Sequence, residues 1–405
     1  MMYDLVVIGG GAAGFFGAIQ AAEQKKNARI LILEKTTKLL SKVKISGGGR
    51  CNVTHHCLQP APLSKHYPRG QKVLKQLFQQ FHAGHTIQWF ADRGVLLKVE
   101  EDGRMFPQSD DSQTIIDCFL SEARKFKIEV RTSSEVISID RKDKSIEVVT
   151  GNESFSAERV LVAMGGHPQT HAYEWLQKRG HSLVPLLPSL FTFNDPSRQY
   201  TDLMGVSVPN GKVKIASTDF EQEGPILITH WGLSGPAVIK LSAWAAVYLH
   251  ACKYTCTVLV NWVNEKEDIV RQRLLQEKLT HGKRVILNYP LFQLPSRLWE
   301  RLLHQAEIAP TLTWLDCPHK NINRLTEFLV RTPFSVKGKT TYKEEFVTCG
   351  GIDWQDINPA TMESKILPGV YFAGEVINID GETGGFNFQA AWTTATIAAH
   401  SMFKP

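Results

Sequence analysis

The sequence predicts an α/β fold in which a Rossmann-type domain is interrupted by an inserted unit made of a β-barrel and a helical cap. Three observations predict it. An apolar run from Tyr3 to Ile8 leads directly into glycines spaced G-x-G-x-x-G, at Gly9, Gly11 and Gly14. A second apolar run, ARILILEK, reaches an acid at Glu34. Near Leu190 the texture changes to short strands and turns, Pro209-Asn210-Gly211 among the turns, then to helical periodicity in EKEDIVRQRLLQEKLTHG, PSRLWERLLHQAEI and NINRLTEFLVRT, and the first texture resumes near Tyr342 with EEFVTCGGI. This divides the chain into 1–189 and 341–405, two parts of one domain, with 190–340 inserted between them.

Composition narrows the class. Of 405 residues, 43% are hydrophobic and 21% charged, which excludes disordered and collagen-like chains. The net charge of +6 is mild and no run of five or six basic residues occurs, so a nucleic-acid partner is disfavoured. Seven cysteines, an odd number in a long chain, argue for reduced thiols. No uncharged apolar stretch reaches the roughly 18 residues of a membrane span. The best, PAVIKLSAWAAVYLHAC, contains Lys240. The N-terminal run lacks a basic leader and is broken by three glycines, so it reads as strand, turn and helix, and a cytoplasmic location is expected.

The first strand is a short, mostly apolar run, as buried parallel strands are. After it Gly9 makes the tight turn, Gly11 lets a diphosphate approach the backbone, and Gly14 lets helix and strand pack closely. The helix start around Ala13 offers free amides and a partial positive charge to an anion. Glu34, with Lys35 behind it, ends the second strand, where a carboxylate accepts hydrogen bonds from adenosine ribose hydroxyls. An acid there repels a 2′-phosphate, so NADP is disfavoured in this site while NAD and FAD both remain.

The next segment, LLSKVKISGGGRCNVT, decides between them. Ser46, Gly47, Gly48 and Gly49 expose backbone amides to an anion or a flat ring, and Lys42 and Arg50 are placed to add charge to a diphosphate. An ordinary NAD domain has no reason for such a loop. Together with GRMFPQS (103–109), THWGLSGPAVIKLS (229–242) and GVYFAGEVINIDGETGGFNFQAAW (369–392), this pattern resembles the BaiN-like flavoproteins, FAD-dependent oxidoreductases with a glutathione-reductase-like FAD domain. Other members are labelled aminoacetone-oxidase-like.

The resemblance implies FAD as cofactor and the same inserted layout. It implies that Gly374 and Glu375 lie close to the ribitol and diphosphate. It also implies a helix starting at Gly384, Gly385 and Phe386 that faces the flavin pyrimidine edge, where a helix dipole favours the reduced, negatively charged ring. Asn387 and Gln389 are expected to hydrogen-bond that edge, Cys51 and Asn52 to lie near the ring, and Gly165 to follow the strand VLVAMGG (160–166); RTSSEVISIDRKDKSIEVVT reads as a β-meander in which Val136 contacts adenine or is plain core. The chain departs from the family at Met164, in the shortened loop HPQTHAYEWLQKRGH, at His55 and in TTATIAAH.

Flavin performs the redox chemistry, so side chains orient it and move protons. His230, before Trp231 and Gly232, is the candidate proton donor or base, against the alternative of a buried histidine that positions GLSGP. Cys51 lacks a C-x-x-C partner, so packing is favoured over redox chemistry. The Gly338–Thr340 GKT is not a phosphate loop, because Pro333 stands where its first glycine belongs. His167 and His171 are separated by Pro168, and Cys252 and Cys256 have no matching pair, so no metal site is expected. The expected activity is reduction of an activated C=C in a small-molecule enone. No second dinucleotide motif exists, so NAD(P)H docks transiently. The alternatives are an amine oxidase using O₂ and a flavin-dependent RNA-modifying or RNA-binding protein.

Overall fold

The computed structural model describes residues 2–340 and 347–404. The chain divides into two compact units, Met1–Ser189 with Lys343–Pro405, and Leu190–Tyr342. The expected re-entry at 341, with the first residues of EEFVTCGGI, lies outside the described residues.

In the first unit the apolar run forms strand β1 (Met2–Ile8), followed by helix α1 (Ala12–Gln24) and strand β2 (Ile30–Leu33). Strand β3 (Glu129–Arg131) pairs parallel with β2, a partner too short and too polar to be legible as a strand in the sequence. Then come β4 (Val136–Arg141), β5 (Ile146–Thr150) and the long β6 (Ser154–Val162), the meander that the sequence suggests. Strand β7 (Val370–Phe372) returns from the end of the chain. The order is β3-β2-β1-β6-β5-β4. Strand β6 serves two neighbours along one edge: Ser154–Ala157 pairs antiparallel with β5, and Val160–Val162 pairs parallel with β7. Ile8 stands opposite Leu33 and Val162, and Val162 opposite Phe372. All these parallel strands therefore end on one line, the edge at which open α/β sheets bind ligands.

Buried Leu5, Val6 and Val7 explain why β1 is a continuous apolar run. The last helix, α2 (Phe386–Met402), lies beside α1. Small residues permit this: a Cβ on Gly17 would press 2.5 Å from Leu161 and 3.5 Å from Ala395. Phe16, Trp89, Phe119 and Trp392 pack ring against ring on the same core. A two-stranded ribbon of Leu183–Ser189 and Val347–Ile352 completes this unit's route to and from the insertion.

The second unit has its own core, including Trp262, Trp299 and Trp314. Its seven-stranded antiparallel sheet begins at Thr332–Lys337 and ends at Lys339–Thr340, so its first and last strands are neighbours in sequence. The stretch Pro209-Asn210-Gly211, expected to be a turn, runs inside one strand, Ser207–Ile215. A register shift between Val208 and Gly211 absorbs it as a bulge. The three helical periodicities appear as Glu267–Thr280, Ser296–Gln305 and His319–Arg331. The apolar stretch around Lys240 is two short helices, Pro236–Trp244 and Ala246–Ala251. Among the described residues no helix is long and apolar enough to cross a membrane.

Candidate functional site

The common strand edge gathers most of the predicted residues. Gly9 leaves β1, Glu34 leaves β2, Gly165 follows β6 and Gly374 follows β7. The three glycines of the first turn differ in their surroundings. A Cβ on Gly9 would collide with the Ala163 carbonyl, and one on Gly14 with the Gly9 carbonyl. One on Gly11 would meet no protein atom within 4 Å. Gly11 caps α1 without any side-chain hydrogen bond, so the positive helix end is left open beside that empty approach. Gly374 comes up against Ala13, its built Cβ 3.0 Å from the alanine methyl, which ties the β7 turn to the start of α1.

Glu34 is fixed from two sides. One carboxylate oxygen accepts from Gly10 N at 2.9 Å and the other from Thr36 N and Oγ1 at 2.8 Å. Each oxygen keeps lone-pair capacity for a ribose diol. Lys35 is exposed. Burial, and next the Lys35 charge, lower the His167 pKa. Val136 is buried at the start of β4.

The segment Ser41–Gly49 starts as a helix and breaks at Ser46, which turns extended; Gly47, Gly48 and Gly49 then take φ of 59°, 70° and 85°. A Cβ on Gly48 or Gly49 would meet nothing within 4 Å, so here the left-handed backbone, not crowding, calls for glycine. The open face of these amides is a cradle for an anion or a ring edge.

Four of the residues expected at the cofactor have protein partners. The Arg50 guanidinium bonds Glu100 at 2.6 Å and Asp110 at 3.4 Å and lies over the Phe106 ring. Lys42 is likewise paired, with Glu375 at 2.6 Å. Asn387 does not face outward. It holds its own loop, accepting from Gly381 N at 2.8 Å and donating to Gly381 O at 3.1 Å. Gln389 is fully buried, accepting from Thr54 and Thr86 hydroxyls at 2.6 and 2.9 Å and donating to Thr393.

Gly385, with φ of 91°, caps α2 without a side-chain hydrogen bond of its own. Its amide reaches Asn52: with the amide group oriented so that its oxygen accepts from Gly385 N at 3.0 Å, the nitrogen donates to Thr54 O and Met105 O. Glu375 also accepts from Gly166 N at 3.3 Å. Cys51 is fully buried, and burial pushes its pKa up to about 12, so it is a packing thiol and not a thiolate.

Sequence reasoning missed a cluster beside this helix start. His66 stacks on Phe386 at 4.2 Å and bonds buried Glu382 at 3.1 Å; His55 stacks on Phe386 at 4.8 Å; Tyr67 donates to Phe386 O. Arg69 forms an ion pair with Asp380, which is fully buried. Asp380 and Glu382 lay in the recognised C-terminal motif, but their partners fall in a stretch with no motif of its own. His230 belongs to the second unit. It is exposed, its ring set edge-on against Trp231, so it is not a buried positioning histidine. Among the described residues no His, Cys, Asp and Glu cluster suited to a metal occurs.

The chain matches the HI0933-like protein Rossmann domain over residues 3–401. The protein belongs to the HI0933-like family. Its membership agrees with the BaiN-like resemblance of the motifs. Full-length relatives include the ribosomal RNA dihydrouridine synthase of Escherichia coli strain K12, 28% identical over 99% of this chain and 98% of that protein. Another is the 3-dehydro-bile acid delta(4,6)-reductase of Clostridium scindens, 25% identical over 99% of each chain. Among solved structures, the 3-ketosteroid-delta4-(5alpha)-dehydrogenase from Rhodococcus jostii RHA1 covers 100% of this chain and 97% of its own at 15% identity and a TM-score of 0.53, a likeness of fold.

This HI0933-like protein is an FAD-dependent oxidoreductase, and its residues fit the cofactor. Gly11, Gly48 and Gly49 leave open the space a Cβ would fill, two helix starts carry no side-chain cap, and an acid ends β2.

Proposed function

We propose that this protein reduces a carbon–carbon double bond conjugated to a carbonyl, in a small-molecule enone, with NAD(P)H as the electron source. The observation that carries the reading is the positive start of α2 at Gly385, whose own amide is taken by Asn52 while the glycine brings no side chain to cap the amides that follow. A helix end there favours the negative charge of the reduced ring, as a hydride donor requires. FAD, once bound, would supply the hydride chemistry. The names of both full-length relatives cited above fit saturation of such a bond.

Each residue then has a task. Amides at Gly11 to Gly14 and Gly47 to Gly49 hold the diphosphate side, Glu34 the ribose, and Val136 the adenine. Glu375, held by Lys42 and Gly166, stands beside the ribitol. His230 delivers the proton to the carbon next to the carbonyl. Its turn is fixed for this by Thr229 N to Gly232 O at 2.8 Å and by Gly232 N to Thr229 Oγ1 at 3.2 Å.

The test is anaerobic stopped-flow mixing. Bleaching by NADPH or NADH, with reoxidation by an enone faster than by air, supports the reading. Bleaching by an amine with peroxide release would replace it with the amine-oxidase reading. A second reading makes the double bond that of a uracil in RNA, favoured by the relative at 28% identity. It ranks lower because the net charge of +6 is mild and no run of five or six basic residues occurs. A uridine transcript gaining two hydrogens under NADPH would promote it.

A further inference from the structure

His66 and Glu382 are arranged as a proton-carrying pair requires. The Glu382 side chain is 7% exposed, and its Oε2 lies 3.1 Å from His66 Nδ1. The same two residues are joined through the backbone, Glu382 N donating to His66 O at 2.9 Å. The imidazole lies flat against the Phe386 ring, with centroids 4.2 Å and planes 11° apart. Arg69 pairs with Asp380, which fastens the loop before α2 to the segment 66–69 a second time. With a carboxylate as acceptor, Nδ1 carries the hydrogen, so the ring and its tautomer are fixed and an imidazolium charge is supported. Nε2 is left to exchange a proton. It has no hydrogen-bond partner among the described residues, and a third of the His66 side chain is exposed.

The pair stands past the strand ends, on the side away from Glu34. Along the ligand edge the strands run β2, β1, β6, β7. Glu34 leaves β2 and the loop that leads to α2 leaves β7, so the two flank the turn at Gly11. Helices α1 and α2 run parallel. A Cβ on Gly374 would lie 3.0 Å from Ala13 and 3.8 Å from Ala391, and one on Gly17 would lie 3.5 Å from Ala395. With Ala13 level with Ala391, α2 starts four residues earlier than α1, about 6 Å farther past the strand ends. FAD is an elongated molecule. With its ribose on Glu34 and its diphosphate at the open start of α1, its flavin half extends to the α2 side, beyond the start of α1. Phe386 is the first residue of α2, and His66 is stacked on it.

We propose that His66, held by Glu382, is the group that gains a proton when bound FAD is reduced, so that its imidazolium balances the negative charge of the reduced ring. A hydride donor brings two electrons and one proton to the flavin, and a second proton comes from water to His66 Nε2. The assignment rests on FAD as cofactor and is independent of the acceptor reduced. The other charged and titratable groups described around this ring are Tyr67, the Arg69–Asp380 pair and His55, whose ring centroid is 5.9 Å away. The test is the midpoint potential of the FAD-loaded protein, measured against a reference dye in steps from about pH 6 to 9. FAD content is read from absorbance beforehand, which checks the cofactor separately. The native protein is expected to show a range of pH in which two protons accompany two electrons, and His66→Gln only one proton throughout. Glu382→Gln should end the two-proton range at lower pH, because the imidazolium loses its anionic partner. His55→Gln should keep the range. A native potential that follows one proton throughout, or a two-proton range that survives in His66→Gln, overturns the proposal. So does its loss in His55→Gln alone, which would make His55 the carrier.

Discussion

Replacing Gly11 by alanine separates cofactor binding from folding more cleanly than any other change in the first turn. The backbone at Gly11 has φ of −96° and ψ of −167°, which alanine adopts without strain. The new methyl meets no protein atom within 4 Å. The apoprotein should therefore be as stable as the native one, or gain up to about 1 kcal/mol from a stiffer unfolded chain. The methyl instead fills the approach to the open start of α1. Losing one charge-assisted hydrogen bond to a diphosphate costs about 1.5–3 kcal/mol, or roughly 10- to 150-fold in affinity. The assay is titration of apoprotein with FAD, with melting of the apoprotein alongside. Gly14→Ala is the contrast. Its methyl would collide with the Gly9 carbonyl, so that variant should lose the fold first. Native FAD affinity in Gly11→Ala would refute the placement of the diphosphate at this turn.

Other outcomes follow from the same geometry. Arg69→Ala leaves Asp380 buried without its ion-pair partner and should cost about 3–5 kcal/mol by denaturant unfolding. Gln389→Ala strips the acceptor from two buried threonine hydroxyls and should cost about 2–4 kcal/mol in the same measurement. Cys51 should resist alkylation at pH 8 until the protein unfolds. Because burial raises its pKa from 9.0 to about 12, the folded state holds the proton more tightly. Its contribution to stability is therefore complete below pH 9 and lost as pH rises toward 12, a slope that Cys51→Ala should remove from an alkaline melting series. His230→Gln should leave flavin reduction by NAD(P)H unchanged and slow reoxidation by an enone, as stopped-flow absorbance would show.

The first strand, its glycines and Glu34 were legible because a parallel strand buried on both faces reads as an apolar run, and because only glycine serves where backbone meets backbone. The C-terminal motif was legible for the same reason at Gly385, where a Cβ would meet the Thr54 carbonyl, and at Gly374 through its left-handed φ of 77°. What the sequence hid was the destination of polar side chains. Arg50, Asn387 and Gln389 sit in the right segments, yet their partners are Glu100, Gly381 and Thr54, which no local spacing reveals. Strand β3 escaped because three residues carry no period, and its place is set by pairing with β2. Pro209-Asn210-Gly211 misled because turn residues also build bulges when both flanking runs pair with the same neighbour.

The central claim, a flavin that takes electrons from a nicotinamide and passes them to a conjugated double bond, is met most directly by one anaerobic experiment. The absorbance of the purified, FAD-loaded protein is followed while NADPH or NADH is added, and then an enone. The account predicts flavin bands that bleach with the nicotinamide and return with the enone in the absence of air. Failure to take up FAD, or a reduced flavin that no enone reoxidises while oxygen does so at once, would contradict it.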